Sequence, residues 1–74
     1  LERWELRGSQ GRAVVRQVSS VISGREEWRW TVVAKGGTIN RSGNKRTRRA
    51  AMEEAGWMLE YLTQTQVGSW ERTS

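Results

Sequence analysis

Catalysis usually draws on residues that this chain lacks. It has no His and no Cys, and all eight of its acidic residues are Glu. The usual nucleophile–base pairs and metal-ligand sets therefore cannot be assembled. Two Glu pairs remain, Glu26/Glu27 and Glu53/Glu54. Sequence neighbours do not converge on one point from a helix, and a turn does not bury them, so neither pair reads as an acid and its base. A Ser–Lys arrangement would need Lys35 or Lys45, and nothing in the spacing marks either. The run "AKGG" at 34–37 lacks the G-x-x-x-x-G-K-[ST] spacing of a phosphate loop. The expectation is a protein that is no enzyme and holds no metal or cofactor.

Charge is the chemistry that remains. Thirteen Lys and Arg against eight acidic residues give a formal net charge of +5. Such a balance suits a nucleic acid or an acidic protein surface as partner. It also suits plain solubility. The charge is densest in "NRSGNKRTRRAA", residues 40–51, where Arg41, Lys45, Arg46, Arg48 and Arg49 follow one another with no acid between them. Thr47 is a good N-cap, so Arg48 and Arg49 open a helix. Cations at that end oppose the helix dipole by about 0.3–1 kcal/mol each. Arg49 to Glu53 is an i,i+4 pair in the less favourable orientation. Helix stability thus gives no reason for the run. A phosphate backbone meeting the helix start does, and so does an acidic protein surface.

The elements that must position these residues are short. "RWELR" (Arg3 to Arg7) alternates Trp4 and Leu6 with charge, a strand signal, and "GSQG" follows as a turn. "RAVVRQVSSVIS" is rich in β-branched residues and reads as a strand over 12–22. Its facing stays open. Val14, Val18 and Ile22 share a parity with Arg16, while Ala13, Val15 and Val21 share the other. Apolar residues on both faces fit a central strand, a bulge or contact with a partner. "GREE" is a turn. "WRWTVVAK" is the strongest strand, over 27–35, with Trp28, Trp30, Val32 and Ala34 on one face. "GG" at 36–37 predicts a two-residue hairpin returning through a strand at 38–42. With that turn, Ala34 faces Ile39, and Thr38, Asn40 and Ser42 join Arg29, Thr31 and Lys35 on the other face. "SGNK" (Ser42 to Lys45) reads as a second turn.

A helix over 47–63 follows. Ala51, Ala55, Met58 and Leu62, with Leu59 beside them, form an apolar stripe. Trp57 and Tyr61 form a flanking i,i+4 pair. Gly56 inside the helix is a candidate site of close approach to the sheet. The tail, 64–74, is expected to fray unless Trp70 folds back. The fold class is therefore α+β, an antiparallel sheet of three or four strands packed on one C-terminal helix, in a single small domain over 1–74. A chain of 74 residues buries only about 60% of its unfolded surface. Its stability then leans on close packing or on a homo-oligomer. The absence of Cys fits a reducing cytoplasm. No apolar run approaches the ~18 residues of a membrane span.

Two surfaces compete for function. Trp28 and Trp30 suit a base-stacking platform, but they share their face with Val32, Ala34 and Ile39 and suit a core under the helix better. The opposite face carries Arg29, Thr31, Lys35, Thr38 and Asn40. Long polar side chains there suit entry into a nucleic-acid groove, or simply a solvated outer face.

Taken together, "VRQ", "EWRWTVV" on the middle strand and "TRRAA" opening the helix resemble the Apetala-type plant DNA-binding domain. They are similar also to the arm-binding domains of phage and transposon tyrosine recombinases. The resemblance spans about Gly11 to Leu62 and departs at the helix start, which is basic here and acidic in the family. It implies DNA, duplex rather than single-stranded, bound by the sheet face away from the helix, with Arg16 and Arg29 as the first positions to test. Arg29, Lys35 and Asn40 would then lie near the bases, and Arg41, Lys45, Arg46, Arg48 and Arg49 would hold phosphates. The chain is also similar to small phage proteins of hairpin-plus-helix type. Some of these bind host proteins, which makes an interaction or inhibitor module on an acidic host surface the alternative.

Overall fold

Alternating sequence becomes sheet, and the helical stripe lies across it. The structure is a computed structural model that describes residues 1–19, 22 and 24–74. Its elements are β1 (Arg3–Gly8), β2 (Gly11–Ser19), β3 (Glu26–Ala34), β4 (Ile39–Lys45), α1 (Arg48–Thr63) and β5 (Glu71–Arg72). The strands form one antiparallel sheet in the order β4-β3-β2-β1-β5. This is the α+β class expected, with a fifth short strand. No helix among the described residues is long and apolar enough to cross a membrane.

The register settles the facing of β2. Ala13 pairs with Leu6 and Val32, and Val15 pairs with Trp4 and Trp30. These residues form the layer under α1, so β2 is the central strand. Val14 and Val18 lie on the far face, half-buried. Ile22 lies beyond the strand and is exposed, and Val21 falls outside the described residues. Glu26 and Glu27, read as turn residues, instead begin β3.

The core is Leu6, Ala13, Val15, Trp30, Val32, Ala51, Ala55 and Leu59, with Trp4, Trp28, Met52, Met58 and Leu62 packed around it. Each fully buried Leu or Val side chain contributes about 1.5–3 kcal/mol. On α1 the buried line is Ala51, Ala55 and Leu59, with Met58 and Leu62 on its margin. Ala on the helix and Ala13 on the sheet let the two layers approach. Gly56 is not needed for that approach: a Cβ there would meet Leu6 Cδ2 at an ordinary 3.8 Å. Gly56→Ala is therefore expected to raise stability by about 0.5–1 kcal/mol, the helix-propensity gain, in urea unfolding. A loss of stability would show that the helix needs the gap.

The helix begins where Thr47 predicts, with Thr47 Oγ1 accepting the Ala50 N–H at 3.1 Å. It ends at Gln64, which turns left-handed (φ 56°) and donates its N–H to Glu60 O. Trp57 and Tyr61 stack on the outer face, with centroids 5.2 Å apart.

Two further expectations change, and the tail takes a place on the sheet. The hairpin after β3 is wider than two residues. Lys35 leaves the strand with φ 52°, followed by Gly36 at 68° and Gly37 at 91°. Its N–H donates to Gln10 O, and Thr38 donates through both N–H and Oγ1 to Lys35 O. Ala34 still pairs with Ile39, as expected. Ser42 to Lys45 are strand, not turn, because Gly43 pairs with Trp30 and lies beneath its indole. The tail does not lie loose: β5 pairs with β1, Thr73 N–H donates to Arg3 O, and Val67 and Trp70 pack on the core.

Candidate nucleic-acid interface

The face of the sheet away from α1 is organised in rows by the strand register. Arg3 pairs with Arg16, Arg16 with Arg29, and Arg29 with Asn44. A second row runs Glu5, Val14, Thr31 and Ser42. A third runs Arg7, Arg12, Val33 and Asn40. Neighbours within a row are about 4.8 Å apart, and the two arginine rows lie about 13 Å apart along the strands.

The first row is electrostatically costly. Like charges directly opposite in a sheet destabilise it by a few tenths of a kcal/mol to about 1 kcal/mol per pair. Glu5, buried to 7% exposure, offsets part of this on β1. It binds Arg7 Nε at 3.1 Å and lies 4.0 Å from Arg3. Arg12, Arg16 and Arg29 have no ion pair among the described residues, and all three are exposed. Glu27, on the same face, accepts instead from Asn44 Nδ2.

The basic helix start is different, for its cations have internal partners. Arg48 Nη1 binds Glu2 Oε1 at 2.8 Å and its guanidinium stands 5.1 Å over the Trp4 ring. Arg49 Nε binds Glu53 at 3.1 Å and Lys45 Nζ binds Glu54 at 3.0 Å. Trp4 Nε1–H also donates to Glu2, and these bonds, the indole first and Arg48 second, hold the Glu2 carboxyl below its ordinary range. The anion that meets the start of this helix is thus supplied in part by Glu2, forty-six residues away in sequence. Of the run read from sequence, Arg41 and Arg46 carry no ion pair among the described residues. Arg41 pairs with Val32 and so belongs to the helix side of β4, at the sheet edge.

The residues expected to act together divide accordingly. Arg16, Arg29 and Asn40 share the open face. Asn40 is held there by Nδ2 donating to Gly37 O. Lys35 stands in the hairpin turn and not on the sheet. Lys45, Arg46, Arg48 and Arg49 lie at the other end of β4 and the start of α1. Trp4, Trp28 and Trp30 all belong to the helix side, so among the described residues the open face has no tryptophan platform for stacking bases. Sequence reading missed Arg3, Arg7, Arg12 and Asn44 as site residues. The signal was present for Arg12, which shares its parity with Arg16. For Arg3 and Arg7 it required the register set by the Ser9–Gln10 turn.

Compared with protein-family models, curated proteins and solved structures, the chain has no match.

Proposed function

We propose that this protein is a small nucleic-acid-binding module of phage or mobile-element type, working in the cytoplasm. It holds duplex DNA against the open sheet face, without catalysing a reaction. The observation that carries this reading is the row Arg3, Arg16 and Arg29, set side by side on three adjacent strands at a cost in sheet stability. A phosphate backbone offsets that cost with charge-assisted hydrogen bonds. The lack of stacking tryptophans on this face supports a duplex over a single strand.

Fluorescence anisotropy of a labelled duplex across a salt series tests it. A row that neutralises about three phosphates gives a log–log slope near −2.7, or a loss of about 40-fold in affinity between ~50 and ~200 mM salt. Absence of binding at ~50 mM salt, where this contribution is largest, defeats the proposal. A single acidic protein recovered after nuclease treatment would instead point to the interaction-module alternative.

A further inference from the structure

We propose that the cleft between the two hairpin turns at one end of the open face binds a phosphate group, clamped by Arg7 and Arg12. The chemistry of the clamp stands by itself. Its assignment to a nucleic-acid backbone rests on the function proposed above.

The cleft is lined by Arg7, Gly8, Gly11, Arg12, Gly36 and Gly37, together with Glu5 and Val33, and has a volume of about 670 Å³. That lies within the range of small-molecule sites. Its two guanidinium side chains come from directly opposed residues, since Arg7 pairs with Arg12. Glu5 engages Arg7 through Nε, which leaves the terminal nitrogens of Arg7 available, and Arg12 has no ion pair among the described residues. Arginine presents a planar fork that matches phosphate oxygens two at a time.

The backbone holds this geometry. A Cβ on Gly11 would lie 2.4 Å from Val33 O, so the start of β2 is pressed against the end of β3, and Arg12 is brought beside the second turn. A Cβ on Gly36 or Gly37 would meet nothing within 4 Å, so both glycines face open space. The arrangement is an open, glycine-walled cleft in which two guanidinium groups outweigh the one Glu5 carboxylate.

The test is NMR on the labelled full chain, following arginine Nε–H signals and the Gly36 and Gly37 amides. Inorganic phosphate, a mononucleotide and a short duplex are titrated in turn. Phosphate is expected to shift Arg7, Arg12 and the two glycines. Arg12→Gln, at a residue with no ion pair to lose among the described residues, is expected to weaken phosphate binding about 10-fold, the worth of one charge-assisted bond. Arg12→Lys keeps the charge but loses the fork, and should fall between. If phosphate leaves these signals unmoved, or if Arg12→Gln binds it as the parent does, the clamp is overturned. If the duplex binds tighter than the mononucleotide, the backbone is the source, and the reverse order identifies a free nucleotide. A duplex that shifts Arg16 and Arg29, with phosphate silent in the cleft, sinks the clamp and leaves the proposed function standing. Phosphate binding in the cleft with no duplex binding anywhere does the opposite.

Discussion

Changing Arg16 and Arg29 together to Gln is expected to lower duplex affinity by about 100-fold at ~50 mM salt. The same change at Arg48 and Arg49 should cost less than about 3-fold. Each charge-assisted bond contributes about 1.5 kcal/mol, close to a factor of ten. Arg16 and Arg29 have no competing carboxylate among the described residues. Arg48 and Arg49 already have carboxylate partners in Glu2 and Glu53, whose negative charge offsets theirs toward a phosphate. The salt slope should also shrink by about one per arginine removed. The double Gln variant should melt no lower than the parent, since it relieves like-charge pairs with Arg3 and between the two sites. Lost binding with preserved or raised stability separates a binding role from a structural one. A larger loss at Arg48 and Arg49 would move the grip to the helix start.

Gly43→Val should be strongly destabilising, by about 3 kcal/mol. Gly43 is an edge-strand glycine covered by the Trp30 indole, which rescues the missing side chain. A Cβ there would lie 2.8 Å from Trp30 Nε1 and 2.9 Å from Cε2. The indole is 5% exposed and donates through Nε1 to Glu54 Oε2 at 3.1 Å. It cannot yield without breaking that bond and losing core packing. Overpacking costs about 1–3 kcal/mol, and a hydrogen bond to a charged group about 1.5–3. For a domain of this size the melting temperature should drop by about 12–24 °C, followed by tryptophan fluorescence. A melting point within about 2 °C of the parent would mean that the indole is not pinned over Gly43.

Both predictions rest on pairings that no local pattern contains. Periodicity is local: alternation over Trp28 to Ala34 marks a strand and its apolar face, and the repeat from Ala51 to Leu59 marks a helix. Thr47 names the helix start because capping involves only three residues of separation. Those features, with the element order and the α+β class, were determined by the sequence alone. Gly43 was misread because glycine signals a turn by composition, and only Trp30 lying across it makes it strand. The strand at 71–72 was not legible for the same reason, since β5 exists only by pairing with β1.

The tertiary structure decided which charges are engaged. Five cations at 41–49 look alike in sequence, yet Glu2, Glu53 and Glu54 take three of them. Arg3, Arg16 and Arg29 look unrelated, yet register sets them in one row. Charge acts through distance in space, and the distances between strands are set by long-range pairing and core packing. The question raised by the basic run is therefore answered mostly from within the chain, and the open electrostatic demand lies on the sheet.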